Sequence, residues 1–317
     1  MLARSLAAVA AAALLGCAPA GGPYPAREVK LIVQAAPGGT SDTVSRVMAS
    51  LAEEWLGAPI VCENKPGASG ALAFSYVSRR PADGYTIGHA PVEIAMVRSL
   101  GFGDIGPSRM SLICMVSKTP PALVVRAESP WRTLDEFLAE ARQRPGRMLM
   151  ANSGTGSIWH FNTLLLEDAT GVRVTHVPYN GSTGALVTLL GGHVDAVVAG
   201  VGEVVGHVQA GKLRPLAVFD ETRTEVFPDT PTTHELGVPV GAPAWSGFFG
   251  PPGLSGETVD RLAEAFRSGF DDERWTTLCR ERGMTPAFLG RREFEAFAAE
   301  QERFFGESIP RLLRMRR

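Results

Sequence analysis

Residues 32–43 read IVQAAPGGTSDT, and this stretch joins an apolar run to a helical pattern through a proline, two glycines and small polar residues. A strand that turns directly into a helix leaves free amide groups at the helix N-terminus, where the helix dipole adds partial positive charge. Gly38 and Gly39 carry no Cβ, so a ligand can approach the backbone closely. Thr40 and Asp42 follow as capping or donor residues. The turn therefore predicts an anion site.

Two later stretches repeat this polar strand-to-helix turn. Residues 148–160 read MLMANSGTGSIWH, and residues 177–186 read VPYNGSTGAL. In open α/β sheets, ligands bind outside the carboxyl ends of the strands. Three such turns predict a cleft that holds a small molecule by anionic groups. The alternative interpretation is that each turn only connects a strand to a helix.

The rest of the chain alternates apolar runs with patterns of helical period. This order predicts an α/β architecture with largely parallel sheets, divided into two lobes. The pattern at 93–100, EIAMVRSL, predicts a helix, and 220–244 reads as a long connection rich in Pro, Thr and Gly.

The first 20 residues predict a secretory signal peptide. Arg4 precedes a short apolar run, and residues 18–20 read APA, an A-x-A cleavage pattern. A competing interpretation is that residues 14–17, LLGC, form a lipobox, which would leave Cys17 lipidated. Either interpretation places the mature protein outside the cytoplasm, in the periplasm.

Charge and cysteine content exclude several function classes. The chain has 31 basic and 33 acidic residues, a balance that gives no field for gathering nucleic acid. Neither C-x-x-C nor H-E-x-x-H occurs, so we expect no metal and no cofactor. With Cys17 set aside in the predicted signal peptide, three cysteines remain, Cys62, Cys114 and Cys279, and an odd number cannot pair completely. We expect buried thiols at Cys62 and Cys114, with one internal disulfide left open.

Catalytic patterns are weak. No G-x-S-x-G nucleophile elbow is present. The G-x-G-x-x-G at 101–106 follows a helical pattern instead of a strand, which is the wrong order for a dinucleotide-binding turn. Ser157 and His160 lie three residues apart on one predicted helix and could meet, which leaves an extracytoplasmic hydrolase as an alternative function.

An ordered set of motifs resembles the Bug-type solute-binding receptors associated with tripartite tricarboxylate transporters. The set spans roughly residues 24–253. Its members are PGGTSD, ENKPGASG, PADGYT, NSGTGS, HVPYNGSTGAL, LLGGHVDAV, AGKLRPLAV, FPDTPTTHELG and WSGFFGPPG.

The resemblance implies a two-lobed periplasmic-binding-protein fold of type II with a ligand cleft between the lobes. Residues 24–123 and 243–317 would form lobe 1, and residues 124–242 would form lobe 2. The implied function is non-enzymatic capture of a small mono- or dicarboxylate for uptake or sensing. The implied partner is a membrane transporter complex or a sensor.

The resemblance also assigns the ligand-binding residues, which come from the same three turns. In the family, backbone amides, hydroxyls and bridging waters hold carboxylate oxygens. The residues assigned here are Pro37, Gly38, Gly39, Thr40, Asp42, Ser153, Thr155, Gly156, Ser157, Tyr179, Gly181 and Ser182.

Two departures from the family pattern bear on the ligand. Ala199-Gly200 replaces an acidic or amide residue and a small polar one, so a ligand amine would lose an acceptor. Residues 90–92, Ala-Pro-Val, replace a polar segment, which predicts a more apolar cleft wall; Glu93 after them reads as a solvated or helix-start carboxylate. A partly apolar dicarboxylate, or an aromatic or aliphatic monocarboxylate, then fits better than citrate. A ligand-free sensory or scaffold partner is the remaining alternative.

Overall fold

The structure, a computed structural model, describes residues 24–314. The predicted signal peptide and Cys17 lie outside the described residues. Within the described range, no helix combines the length and apolar character needed to cross a membrane.

Eleven strands and nine α-helices alternate along the described chain. The strands are β1 (Val29–Val33), β2 (Ile60–Asn64), β3 (Thr86–Pro91), β4 (Ser111–Thr119), β5 (Pro121–Arg126), β6 (Leu149–Asn152), β7 (Thr175–Pro178), β8 (Ala196–Gly200), β9 (Leu213–Val218), β10 (Ala244–Gly250) and β11 (Thr285–Leu289). The helices are α1 (Thr40–Leu56), α2 (Ala71–Ser78), α3 (Leu134–Gln143), α4 (Ile158–Thr170), α5 (Ser182–Leu190), α6 (Val201–Gln209), α7 (Gly256–Phe270), α8 (Glu273–Glu281) and α9 (Arg291–Arg314).

These strands form two sheets, which confirms the two-lobed α/β prediction. The six-stranded sheet has the order β11-β4-β10-β3-β1-β2, and the five-stranded sheet has the order β7-β6-β8-β5-β9. We call the first sheet with its helices lobe 1 and the second lobe 2. The residue limits of the lobes stay a prediction, and β5 spans the predicted limit at 123.

Two sequence predictions about elements were wrong. The sheets are mixed instead of largely parallel, because β4 and β10 of the lobe 1 sheet and β5 of the lobe 2 sheet pair antiparallel with their neighbours. Residues 93–100 form no α-helix: a 3-10 turn at Val92–Ala95 is followed by turns. Its apolar residues are buried in the core instead of lining one helix face, so their spacing imitates a helical period.

Helix α1 forms because its apolar residues recur on one face. Val44, Met48 and Leu51 are buried against lobe 1, and the helix ends at Gly57, whose φ of 74° suits the left-handed C-terminal position. The N-terminus of α1 is thereby held at the carboxyl end of β1, facing lobe 2.

Helix α9 joins the lobes on the outside of the molecule. It packs on β4 of lobe 1, and its Phe305 ring lies 5.1 Å from the Phe161 ring of α4 in lobe 2. Arg311 pairs with Asp168 at 2.6 Å. The C-terminal helix therefore contacts both lobes, beyond the predicted return to lobe 1.

The three described cysteines are free. Cys114 and Cys279 are buried, while Cys62 is only half-buried, contrary to the prediction of a buried thiol there. Its strand β2 lies at the edge of the lobe 1 sheet, where one side lacks a covering strand.

Candidate functional site

A cleft of about 480 Å³ lies between the two sheets. Its walls come from the loops that follow β1, β2 and β3 in lobe 1, and from the loops that follow β6 and β7 in lobe 2. All five loops leave carboxyl ends of strands. The cleft therefore brings together the three turns that the sequence pointed to.

The first turn is braced by Asp42, which lies behind the cleft. Gly38 donates its amide to Asp42 Oδ2 at 3.0 Å, while Arg46 Nε and Asn64 Nδ2 donate to Oδ1 at 3.0 and 2.8 Å. Burial opposes ionisation, yet these three hydrogen bonds prevail and lower the pKa of Asp42. Asp42 thus holds the loop shape as a carboxylate and is not among the residues that line the cleft.

A buried polar chain orients a hydroxyl beside this turn. His89 Nδ1 lies 2.9 Å from Gln34 Oε1, and Gln34 Nε2 donates to Ser41 Oγ at 2.9 Å. Burial lowers the pKa of His89 to about 3, so its ring is neutral at pH 7. The Ser41 oxygen is used as an acceptor here, which leaves its proton free to donate into the cleft.

The second turn forms the N-terminus of α4. Asn152 Oδ1 accepts from the Gly154 amide at 3.0 Å, and Ser157 Oγ accepts from the His160 amide at 3.2 Å. Ser157 is therefore the helix N-cap. The Gly156 amide donates to His160 Nδ1 at 3.2 Å, so this ring nitrogen helps to hold the loop.

The third turn forms the N-terminus of α5. Tyr179 and Gly181 donate their amides to Asn152 and Ser153 carbonyl oxygens at 3.0 and 3.1 Å, which fastens this turn to the second one. Gly181 has φ 99°, a value that favours glycine. Ser182 opens the helix and faces the cleft.

Two glutamates enter the cleft from opposite lobes. Glu203 of α6 accepts the Gly200 amide at 3.0 Å, and the Ser182 hydroxyl and the hydroxyl and amide of Thr40 lie near enough to favour its ionised form. Glu93 of lobe 1 accepts the Ile158 amide at the start of α4, at 3.1 Å. Each lobe therefore places a carboxylate at a helix N-terminus of the other.

Burial is the main influence on both carboxyl groups. It raises the pKa of Glu203, although hydrogen bonds from Gly200, Ser182 and Thr40 oppose the shift. Burial also raises the pKa of Glu93, opposed by the Ile158 amide and reinforced by the negative charge of Glu203.

A third contact crosses the cleft where Ser69 Oγ donates to the Thr155 carbonyl oxygen at 3.1 Å.

The remaining walls are largely apolar. Trp159, Trp245 and Tyr179 line the cleft together with proline, alanine and isoleucine side chains. The predicted apolar segment contributes only Pro91, because Ala90 and Val92 point into the core with no exposed surface.

Nine of the predicted site residues line the cleft: Pro37, Gly39, Thr40, Ser153, Thr155, Ser157, Tyr179, Gly181 and Ser182. Three do not line it. Gly38 donates its amide to the Asp42 carboxylate behind the turn, and Gly156 packs toward Leu100 of lobe 1.

Sequence reasoning missed the roles of Glu203 and Glu93. It looked for an acidic group at Ala199, which is buried in β8 and does not reach the cleft. The signal that could have found Glu203 is its place in the first turn of a helix that starts at the carboxyl end of a strand.

Two α/β lobes around a cleft built from helix N-termini define a solute-binding receptor. The chain belongs to the tripartite tricarboxylate transporter family: the model described as "Tripartite tricarboxylate transporter family receptor" matches residues 44–312. This match confirms the family resemblance. The protein is accordingly a receptor and not an enzyme, and the Ser157/His160 hydrolase alternative was wrong.

Known relatives cover most of the chain. BugT of Bordetella pertussis is 31% identical over 289 residues, which cover 88% of this chain and 87% of BugT. MatC of Rhodopseudomonas palustris, solved with bound malate, is 27% identical with a TM-score of 0.83 and covers 90% of this chain and 100% of that one. A second R. palustris protein, solved with adipate, is 28% identical with a TM-score of 0.85, covering 91% and 98%.

Proposed function

We propose that this receptor captures a small mono- or dicarboxylate in the periplasm and delivers it to a membrane transporter complex or a sensor. The observation that carries the proposal is the convergence of three polar strand-to-helix turns, from both lobes, on one cleft of about 480 Å³. Helix N-termini and hydroxyls are suited to anions. The family membership and the malate and adipate bound to two relatives support it.

The ligand carboxylate would take the donors of the second turn and of Gly39. Ser153 and Thr155 line the cleft on the lobe 2 side, and Gly39 lines it on the lobe 1 side. Trp159 and Trp245 would cover the apolar part of the ligand. Closure of the lobes would then be a hinge motion that the bound ligand favours by its contacts with both lobes.

A thermal-shift screen tests the proposal on the mature protein. Linear carboxylates of four to eight carbons are compared with the corresponding primary amides, which match them in shape but carry no charge. Binding to the folded state alone must raise the unfolding temperature. We expect at least one acid to raise it in proportion to the logarithm of its concentration, with no effect of its amide.

A ligand-free sensory or scaffold protein is the second candidate. Contacts of Glu93, Glu203 and Ser69 already bridge the cleft. They favour this second candidate, because they hold the lobes together without a ligand. The same screen separates the two: no response to any acid would favour the scaffold and contradict the receptor proposal.

A further inference from the structure

The carboxylate of Glu203 occupies the point where three helices begin. Thr40 opens α1, Ser182 opens α5, and Gly200 is the N-cap of α6. Gly200 donates its amide to Glu203 at 3.0 Å, and Thr40 and Ser182 lie beside the same carboxyl group and favour its ionised form. Three positive helix ends thus converge on one negative group supplied by the protein itself.

The Glu203 side chain takes up the space between the starts of α1 and α5. It lines the cleft together with Thr40 and Ser182, and it accepts the Gly200 amide at 3.0 Å. A ligand carboxylate that used the starts of α1 and α5 would therefore have to stand where Glu203 stands.

The charge of the cleft is not compensated by cations. Glu93 adds a second carboxylate to the lining. Among the cleft-lining residues in the described range 24–314, none is Lys, Arg or His. A ligand with two anionic groups would therefore meet acidic side chains and no cation in a partly water-excluded space, where like charges repel more strongly than in water.

We propose that Glu203 is a specificity-determining residue that serves as a built-in carboxylate, so that the receptor favours ligands with one anionic group over dianions. The inference rests on the proposed function and narrows it from mono- or dicarboxylates to monocarboxylates. The single carboxylate binds at the second turn, and the apolar body of the ligand lies against Trp159 and Trp245.

The test compares monoacids with diacids of equal chain length, from butanoate and butanedioate to octanoate and octanedioate. Dissociation constants are measured by isothermal titration at pH 7.5 for the wild type and for Glu203→Ala. We expect the wild type to bind the best monoacid about tenfold or more tighter than its diacid. In Glu203→Ala, the vacated donors of Thr40, Ser182 and Gly200 should hold a second carboxylate, so that the preference reverses.

Two further variants keep the test decisive. Glu203→Gln retains the side-chain size but carries no charge, and it should reduce the preference for monoacids. It replaces Glu203→Ala in the test if that variant does not fold. Glu307→Ala removes one carboxylate from an exposed position of α9, and it should leave the preference unchanged.

Three results would overturn the inference. A wild type that binds a diacid as tightly as its monoacid would contradict it while leaving carboxylate capture intact. A monoacid preference that persists in both Glu203 variants would show that another group sets it. Failure of the wild type and of both Glu203 variants to bind any acid would remove the proposed function and this inference together.

Discussion

Gly39 is the residue of the first turn whose amide would donate to the ligand carboxylate in the proposed binding mode. It lines the cleft directly before α1 and has φ −81°, a value that any residue adopts. The nearest atom to a Cβ built there is the Ala36 carbonyl oxygen at 4.0 Å. The fold therefore accepts a side chain at this position, whereas the cleft loses space and access to the helix N-terminus.

We predict that Gly39→Val weakens carboxylate binding at least tenfold, about 1.4 kcal/mol. The protein should stay folded and lose about 1 kcal/mol of stability, because Gly39 is the N-cap of α1 and valine is a poorer N-cap than glycine. Titration calorimetry measures the affinity, and thermal unfolding checks the fold. Gly206→Val is the matched control, because Gly206 is exposed on α6 and a Cβ there meets nothing within 4 Å. Equal affinity of the wild type and Gly39→Val would exclude the first turn as an anion donor.

At the scale of elements, two helices with the same kind of N-cap separate stability from binding. Ser157 caps α4 by accepting the His160 amide at 3.2 Å, and Ser255 caps α7 by accepting the Thr258 amide at 3.1 Å. Ser157 lines the cleft, whereas Ser255 is exposed and absent from its lining.

Replacing either serine by alanine should lower the free energy of unfolding by about 1 kcal/mol, because one helix amide loses its acceptor. Only Ser157→Ala should also weaken carboxylate binding. Urea unfolding and titration of both variants provide the check. If Ser255→Ala weakens binding as much as Ser157→Ala does, the cap at α4 has no specific role in the site.

The three turns could be predicted from the sequence because each is a local pattern of strand, small polar residues and helix. The sequence marks Glu203 only as a first-turn residue of a helix that follows a strand. Its position beside Thr40 could not be predicted, because Thr40 lies on the other lobe and approaches it only after both sheets have formed. The helix predicted at residues 93–100 was wrong for a related reason. Its apolar spacing suits a helix, but burial on several sides within the core allows turns instead.

At the scale of the whole molecule, carboxyl groups hold the two lobes together across the cleft. Glu93 reaches the Ile158 amide, and Glu203 reaches Thr40. Burial first, and then the charge of Glu203, raise the pKa of Glu93 above its usual value of 4.5. The unfolded chain therefore releases the Glu93 proton at a lower pH than the folded chain does.

This shift predicts a pH dependence of stability with a definite sign. Above about pH 4.5 the folded state binds more protons at Glu93 than the unfolded state, so its contribution to stability decreases as pH rises through the raised pKa. Glu93→Gln removes the ionisable group and therefore the decrease in folding stability that it causes as pH rises. Relative to the wild type, the variant should become progressively more stable between pH 4.5 and 7.5 in urea unfolding.

Glu307→Gln on the exposed face of α9 is the control for this measurement, and its stability relative to the wild type should vary little with pH. A constant difference between Glu93→Gln and the wild type at all pH values would contradict the raised pKa of Glu93.

A crystal structure with the tightest-binding acid would show whether a carboxylate binds in the cleft between the lobes. We predict carboxylate oxygens within about 3 Å of donors on the second turn, residues 153–157, with the apolar chain against Trp159 and Trp245. Acid bound elsewhere on the protein, with the cleft closed by its own glutamates, would contradict it.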